Sequence, residues 1–252
     1  MIHLGPFMIN WHGVLTVAGI LAGLAVSQRA AVRLGQSRDV ISRLAPFLII
    51  AAVVGGRIAY VLSHFGEFAG NLWQVIRIDQ GGLGSHGALL FGVLTVYVFA
   101  RRYGLSAERL LDALAPAVPI NYLAMRIGNF LIGELYGDPT SRPWGVVFPD
   151  TTDPRHPAQL YDALGQVVAL AVLYGLMRRP RRPGELAWIT LILTSAVRLV
   201  SDLFRTELRV AGPFTLGQLA ALATMAIATV LFLRTQRIGG GARKERVEAL
   251  AP

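Results

Sequence analysis

The feature that most constrains the fold is a series of seven apolar stretches along the chain. A stretch of about 20 apolar residues is long enough to cross the hydrocarbon core of a bilayer as an α-helix. The chain is 54% hydrophobic and 15% charged, whereas a soluble domain carries about 25% charged residues. The sequence therefore predicts an all-α, polytopic membrane protein with about seven transmembrane helices at roughly 8–27, 44–64, 84–100, 110–132, 158–177, 185–203 and 215–234.

Basic residues are distributed unevenly between the two sets of loops. Sixteen of the 24 Lys and Arg residues follow the first, third, fifth and seventh spans, namely Arg29, Arg33, Arg38, Arg43, Arg101, Arg102, Arg109, Arg178, Arg179, Arg181, Arg182, Arg234, Arg237, Arg243, Lys244 and Arg246. The opposite loops hold five, namely Arg77, Arg142, Arg155, Arg205 and Arg209. The positive-inside rule then predicts an N-terminus outside and a C-terminus in the cytoplasm. The net charge of +9 is thus largely a topology signal, which argues against a nucleic-acid partner.

The domain organisation follows from the same spans. Residues 1–237 form one seven-helix transmembrane domain, and we see no soluble domain in the sequence. The tail 238–252 combines Gly239–Gly241 with mixed charges, a composition that predicts a disordered cytoplasmic end. The longest outer loop, about 133–157, is rich in Asp-Pro and other turn signals and is expected to shape the mouth of a site.

Polar residues of four spans gather at the ends that the predicted topology places outside. Charged groups within a membrane are costly and usually mark functional sites. Their clustering at one depth predicts a single polar cavity that faces the outer leaflet. The residues are His86 at the start of the third span, Arg126, Asn129 and Glu134 at the end of the fourth, His156, Gln159, Tyr161 and Asp162 at the start of the fifth, and Arg198, Asp202 and Arg205 at the end of the sixth.

Helical spacing adds detail to this cavity. Arg126 and Asn129 are three residues apart and share a helix face. Arg198, Asp202 and Arg205 form one stripe, in which Asp202 is expected to pair with Arg198 or Arg205. Guanidinium groups are the side chains best shaped to bind phosphate. Several such groups in an apolar chain therefore indicate a ligand that contains a phosphate.

Simpler roles remain open for some of these residues. Arg57 is also explained as a structural pin to a carbonyl or carboxylate. His156 precedes Pro157, and a simple role as a helix cap also explains it. Close packing between helices also explains Gly55 and Gly56. The chain has no cysteine, so any thiol in the chemistry belongs to a substrate. Its histidines show no metal-ligand spacing, and no metal is expected.

In their order along the chain, these motifs resemble the bacterial phosphatidylglycerol–prolipoprotein diacylglyceryl transferase family from about residue 5 to about residue 218. The segment from Arg126 to Gly137, with the pattern R-x-G-N-F-x-x-G-E-x-x-G, is the most specific, and H-P-x-Q-L-Y from His156 is second. The other matching stretches are Gly5-Pro6, Trp11-His12-Gly13, Gly55-Gly56-Arg57-Ile58-Ala59-Tyr60, Gly81-Gly82-Leu83-Gly84-Ser85-His86-Gly87, Arg198 to Arg205, and Gly217-Gln218.

The resemblance implies an activity and a location. Members of this family move the diacylglyceryl group of phosphatidylglycerol to the thiol of a lipobox cysteine in a preprolipoprotein, and they release glycerol phosphate. This is the first step of lipoprotein maturation, in the bacterial plasma (inner) membrane. The resemblance implies a multi-pass enzyme with no metal or organic cofactor. A phosphate leaving group suits the arginines, and a substrate thiol suits a chain without cysteine.

Roles for the candidate residues follow from that reaction. We expect Arg126 and Arg198 to bind the lipid phosphate and His86 to accept or relay the thiol proton. Glu134 is expected either to orient Arg126 or to act as a rival base. The residues expected to bind substrate are His12, Arg57, Gly87, Asn129, Gly137, His156, Gln159, Tyr161, Asp202 and Arg205.

The chain departs from the family pattern at four of these positions or beside them. It has His12 where the family usually has Tyr, Ala88 where it usually has Gly, and Asp162 and Asp202 where it usually has Glu. Two alternatives therefore stay open. One is a divergent, weakly active or inactive paralogue that binds lipid or lipoprotein precursors, and the other is a lipid transporter.

Overall fold

The computed structural model describes residues 2–4, 7–9, 11–68, 70–77, 82, 84–179, 181–205, 209–211 and 214–248, with the side chains of 2–4, 7–9, 67, 85–86, 209–211 and 238–248 left out. Within these residues the fold is built from helices, and each of the seven predicted spans overlaps at least one. The helices are α1 (Trp11–Arg33), α2 (Arg38–Ser63), α3 (Phe65–Phe68), α4 (Ser85–Tyr103), α5 (Ala107–Leu114), α6 (Ala117–Ile132), α7 (Ala158–Leu176), α8 (Glu185–Asp202) and α9 (Leu216–Glu248).

The remaining regular structure consists of small elements between the helices. A 3₁₀-helix, Leu72–Ile76, lies between α3 and α4. The strands β1 (Ile2–Leu4) and β2 (Phe7–Ile9) form one short antiparallel hairpin before α1. The strands β3 (Arg209–Ala211) and β4 (Phe214–Thr215) form a second one before α9. Neither hairpin alters the all-helical class of the fold.

Four helices are long and apolar enough to cross a membrane within the part of the chain that the structure describes. They are Trp11–Arg33, Arg38–Ser63, Ala158–Leu176 and the segment Leu216–Arg237 of α9. Large apolar side chains cover their outward surfaces, as at Leu21, Ile50 and Leu164. A soluble protein rarely exposes so much contiguous apolar surface. The chain is therefore an all-helical protein with several candidate membrane spans.

The fourth predicted span, 110–132, is not one continuous helix, and this part of the prediction is wrong. α5 ends at Leu114, α6 begins at Ala117, and a turn at Ala115 and Pro116 separates them. Proline lacks the backbone N–H that a helix interior needs, and its ring clashes with the carbonyl four residues before it. The break makes α6 a separate helix of 16 residues. Arg126 and Asn129 lie in its second half.

Close packing of α2 against α4 depends on glycine. Gly55 and Gly87 are buried opposite each other, and a Cβ atom on Gly87 would overlap the carbonyl oxygen of Gly55. The backbone N–H of Gly84 donates to the carbonyl of Gly56 at 2.8 Å. Small residues allow such close approach between membrane helices. The packing role predicted for Gly55 is confirmed, and Gly87 shares it.

Replacement of Gly87 by alanine is expected to lower the free energy of unfolding by about 1–3 kcal/mol, the usual cost of overpacking. Gly92→Ala is the matched control in the same helix, because a Cβ atom at Gly92 meets nothing within 4 Å. Alanine at an open helical position should be neutral or stabilising by about 0.5–1 kcal/mol. Thermal unfolding of both variants in one detergent measures the difference, and equal midpoints would contradict the packing role.

The basic loops meet at one end of the helix bundle. The guanidinium of Arg109, at the start of α5, donates to the carbonyl of Leu34 after α1 at 3.4 Å. Arg182, before α8, donates to the side-chain oxygen of Gln236 on α9 at 2.9 Å. Arg33 lies 5.3 Å from the ring centre of Tyr174 near the end of α7. The turns after α1, α4 and α7 and the second half of α9 thus share one end.

Asp112 joins two helices at this same end. Its carboxylate accepts the backbone N–H groups of Gly184 at 2.7 Å and of Ala187 at 2.9 Å. The first turn of a helix has N–H groups without partners in the helix, and a carboxylate there is stabilising. The buried Asp112 therefore caps α8 from across the bundle.

α9 is longer than the seventh predicted span. Thr215 and Gln218 form a reciprocal capping box at its start, with two bonds of 3.1 Å between the side chain of each and the backbone N–H of the other. The helix extends to Glu248 and so runs through Gly239–Gly241, where composition predicts disorder. The division of the chain at residue 237 stays a prediction.

Candidate active site

A buried ion pair between α6 and α7 lies at the end of the bundle opposite the basic loops. Arg126 is 4% exposed and Asp162 is 1% exposed. The Arg126 Nε atom is 2.9 Å from Asp162 Oδ2. The side-chain amide of Gln166 donates to Asp162 Oδ1 at 3.0 Å. Both carboxylate oxygens therefore have partners, as a buried charge requires.

A second carboxylate holds two further arginines. Asp202, the last residue of α8, pairs through Oδ2 with Arg198 Nε at 2.9 Å. Its Oδ1 atom lies 3.8 Å from Arg205 Nη1. The predicted pairing of Asp202 is confirmed for both arginines. Gly217 lies against Arg198, since a Cβ atom there would be 2.8 Å from Arg198 Nη2, and α9 thus begins beside this pair.

Ser201 and Tyr122 connect the two ion pairs into one cluster. The hydroxyl of Ser201 is 3.5 Å from Asp162 Oδ2, and Ser201 directly precedes Asp202. Tyr122, one turn before Arg126 on α6, lies within electrostatic range of Arg126, Asp162 and Arg198. We define the arginine cluster as Arg126, Asp162, Arg198, Asp202 and Arg205. These five side chains have three positive charges and two negative ones, which favours an anionic ligand.

The start of α1 packs against the end of α6 beside this cluster. Asn129 Nδ2 lies 3.3 Å from His12 Nδ1, within reach of a hydrogen bond. Gly128 makes this approach possible, because a Cβ atom there would be 2.9 Å from His12 Cα. The structure thus brings two residues together that are 117 positions apart in sequence and that the sequence assigns to substrate binding.

The loop at 133–157, predicted as the longest outer loop, packs against the end of α8. α6 ends at Ile132 and is capped by Gly133, which has a positive φ of 77°. The backbone N–H of Gly137 donates to the carbonyl of His156, and that of Asp138 donates to the carbonyl of Phe204, both at 2.8 Å. A Cβ atom on the buried Gly137 would overlap the Phe204 carbonyl. Glycine is therefore needed here for close backbone approach.

Glu134 and Gln159 lie at the start of this loop. The fully buried side chain of Gln159 donates to the backbone carbonyl of Glu134 at 2.6 Å. The Glu134 side chain itself is exposed. Asp162, not Glu134, is the carboxylate paired with Arg126. The role of Glu134 as a rival base stays a prediction.

A hydrogen-bonded chain of aromatic residues orients His156. The indole Nε1–H of Trp144 donates to the Tyr161 hydroxyl at 2.8 Å, and Tyr161 Oη is 3.0 Å from His156 Nδ1. Because the indole N–H can only donate, the Tyr161 hydroxyl accepts it, and the same hydroxyl is hydrogen-bonded to His156 Nδ1. Phe204 packs on both rings, and a cavity of about 530 Å³ is lined by these four residues and Arg142. The His156 side chain is thus part of a cavity wall, beyond a simple cap.

A smaller cavity of about 250 Å³ lies on the other side of Gly137, and Arg155 and Arg205 contribute to its lining. Tyr136 forms part of its wall and donates to an Asp150 carboxylate oxygen at 2.8 Å. This hydrogen bond raises the pKa of the Tyr136 hydroxyl above its ordinary value. The bond ties the two arms of the outer loop together.

Arg57 holds the segment before α4. Its guanidinium donates to the carbonyls of Val75 at 2.8 Å, Gln74 at 2.5 Å and Gly82 at 3.2 Å. It also lies 5.6 Å from the ring centre of Tyr60. These contacts favour the alternative in which Arg57 is a structural pin. Its assignment to substrate binding stays a prediction.

His86 is the second residue of α4, but its side chain lies outside the described part of the structure. Its backbone position follows Gly84, which is hydrogen-bonded to Gly56 on α2. The proton-transfer role of His86 therefore stays a prediction.

Sequence reasoning missed several contributors to the site. Asp162 was placed in the predicted polar cavity but was given no role, although it directly follows the H-P-x-Q-L-Y motif. Tyr122 lies four residues before Arg126, a spacing that places both on one helix face. Ser201 and Trp144 gave no such signal, because their partners come from other elements of the fold.

Comparisons with known proteins identify the family of the chain. The chain matches the family described as "Prolipoprotein diacylglyceryl transferase" over residues 1–234. A protein of Gloeobacter violaceus named phosphatidylglycerol–prolipoprotein diacylglyceryl transferase is 33% identical, with 91% of this chain and 90% of the relative covered. A protein of the same name from Cupriavidus metallidurans is 33% identical, with 96% of this chain and 94% of the relative covered. Another from Chromohalobacter salexigens is 36% identical, with 81% of this chain and 78% of the relative covered. The resemblance is confirmed: this chain belongs to the prolipoprotein diacylglyceryl transferase family.

Proposed function

We propose that this chain is the enzyme that transfers the diacylglyceryl group of phosphatidylglycerol to the lipobox cysteine of preprolipoproteins, with release of glycerol phosphate. Membership of the family supports the activity. The arginine cluster is the single observation of the structure that carries it. Three guanidinium groups, held by two buried carboxylates, form a site suited to a phosphate whose negative charge increases as it leaves.

The reaction is a displacement at a glycerol carbon. A bond forms between the cysteine sulfur and that carbon, and the bond from the carbon to the phosphate oxygen breaks. The oxygen leaves with the electron pair, and Arg126 and Arg198 stabilise the resulting charge. The thiol must lose its proton, because the thiolate is the nucleophile. We assign this proton to His86, and Glu134 is the alternative base.

The proposed orientation in the membrane places the basic end of the helix bundle in the cytoplasm. In our proposal α1, α2, α4, the pair α5–α6, α7, α8 and α9 are seven spans, with the N-terminus outside and the C-terminus in the cytoplasm. The contacts that join the basic loops at one end of the bundle support this orientation. The arginine cluster then faces the outer leaflet of the bacterial plasma membrane, where lipid and preprolipoprotein meet. The partners are these two substrates and the bilayer, with no nucleic acid.

Diacylglyceryl transfer by the purified protein tests the proposal. The full chain in detergent is incubated with labelled phosphatidylglycerol and a lipobox peptide, and label on the peptide is followed by mass spectrometry. We expect transfer to the cysteine peptide and none to a peptide with serine in its place. Well-folded protein that binds lipid but transfers nothing would instead identify a divergent binding paralogue.

Tyr161→Phe is expected to lower kcat/KM for this transfer by about tenfold, at the lower end of the effect of removing a partner that orients a functional group. Phenylalanine keeps the ring packing on Phe204 but removes the hydroxyl that links Trp144 to His156. Tyr174→Phe, at the basic end of the bundle, is the control and should keep full activity. Equal activity of both variants would show that the orientation of His156 is unimportant for the reaction.

A further inference from the structure

Asp162 occupies an unusual position in the arginine cluster. It lies in the second turn of α7, pairs with Arg126 on α6, and has Ser201 of α8 beside it. Its second oxygen accepts from Gln166. The carboxylate thus lies where three helices meet and is almost completely buried.

The geometry of the pair determines which edge of Arg126 remains for a ligand. Asp162 approaches Nε at 2.9 Å. A guanidinium group is planar and presents its donors along separate edges. Because Asp162 Oδ2 lies beside Nε, the edge formed by Nη1 and Nη2 is the one suited to bind a phosphate through two parallel hydrogen bonds.

A long side chain such as Arg loses this direction readily when its partner is removed. Gln166 in turn limits the rotation of the Asp162 carboxylate, because it bonds the oxygen that Arg126 does not use. The Gln166–Asp162 hydrogen bond and the Asp162–Arg126 ion pair form a series that leads to the guanidinium of Arg126. The carboxylate itself does not need to touch the substrate for this effect.

We propose that Asp162 is a positioning residue for the transfer reaction, which aims the terminal edge of Arg126 at the phosphate of the lipid. This inference rests on the proposed function. It assigns to Asp162 an effect on the rate of the chemical step that is exerted only through Arg126. A purely structural carboxylate would instead affect stability, and its loss would affect activity independently of Arg126.

A double-mutant cycle of Asp162→Asn and Arg126→Ala separates these roles. We expect Asp162→Asn to lower kcat for diacylglyceryl transfer by about 10–100-fold, while KM for phosphatidylglycerol changes by less than about threefold, because the cation is still present. In the Arg126→Ala background the same change should have no further effect on kcat. Asp162→Glu keeps the charge and should retain more activity than Asp162→Asn.

Asp112→Asn is the matched control, because Asp112 is also a buried aspartate but caps α8 at the basic end. It should lower the thermal midpoint and leave kcat unchanged. If Asp162→Asn does not fold, Asp162→Glu takes its place in the cycle, with a smaller loss that must again vanish without Arg126.

Two results would overturn the inference. One is additive losses in the double variant, and the other is near-normal kcat in Asp162→Asn while Arg126→Ala is inactive. The second would leave the proposed function intact. Full activity of Arg126→Ala would remove both the phosphate role of Arg126 and the role of Asp162, and absence of transfer by the unchanged protein would contradict the function itself.

Discussion

Arg126→Ala is expected to lower kcat/KM for diacylglyceryl transfer by about 10²–10³-fold, the usual loss when one donor to a developing oxyanion is removed. Arg126 is buried, it is fixed by Asp162 at 2.9 Å, and it belongs to a cluster with a surplus of one positive charge. The loss should appear mainly in kcat, because the charge on the phosphate increases in the transition state. Initial rates with labelled phosphatidylglycerol and a lipobox peptide measure it.

This substitution also leaves Asp162 buried without its cation, and breaking a buried pair costs about 3–5 kcal/mol of stability. The variant Arg126→Ala with Asp162→Asn removes that unpaired charge. It should regain stability and stay inactive, which distinguishes lost chemistry from lost folding. Arg109→Ala, at the basic end, is the control with an intact site.

Arg198→Ala is the second variant that tests the phosphate-binding role of the arginines. Arg198 pairs with Asp202 as Arg126 pairs with Asp162, and Arg198→Ala should cause a comparable loss. Losses below about tenfold for both Arg126→Ala and Arg198→Ala, at normal protein levels in the membrane, would contradict the assignment of these arginines to the lipid phosphate.

Gly137→Ala is expected to reduce activity by about 10²-fold, because a displacement of about 1 Å at a site is enough for such a loss. The added methyl group would overlap the carbonyl oxygen of Phe204 and approach His156 Cβ to 2.8 Å. The outer loop must then move away from the end of α8. This movement breaks the bonds from Gly137 to His156 and from Asp138 to Phe204. Activity and thermal unfolding are measured on the same preparation.

The control for Gly137 is Gly175→Ala in α7, where an added Cβ atom meets nothing within 4 Å. It should keep activity and stability. Measurements of stability, kcat and KM also separate two roles of Gly137. A packing role predicts lower stability together with lower kcat, whereas a role in substrate binding alone predicts a higher KM at unchanged stability. Normal values of all three for Gly137→Ala would contradict the close approach that the structure shows.

Much of the architecture was predictable because it depends on local composition. Hydropathy alone gave the approximate positions of the long helices, and α1, α2, α7 and α9 are long and apolar enough to span a membrane. The break between α5 and α6 was missed, although Pro116 was visible in the sequence. The continuous apolar stretch was interpreted as one span, whereas the backbone turns at Ala115 and Pro116.

Within the site, the sequence was informative where partners share a helix. Arg198 and Asp202 are four residues apart, and their pairing follows from helical geometry. The partner of Arg126 is different, because Glu134 is eight residues away and Asp162 is 36 positions away on another helix. Nearness in sequence favoured Glu134, but α6 ends at Ile132 and the chain leaves the helix at Gly133.

The class of the protein, its family and the set of polar residues at one end of the helices were predictable without coordinates, because hydropathy, charge bias and short motifs are properties of the chain. Which of these groups meet depends on the packing of the helices and loops. The tertiary structure paired Arg126 with Asp162, joined His156 to Trp144 through Tyr161, and gave Arg57 a set of backbone carbonyls. Such contacts depend on how separate helices and loops pack, and that packing is fixed by many small interactions across the whole molecule.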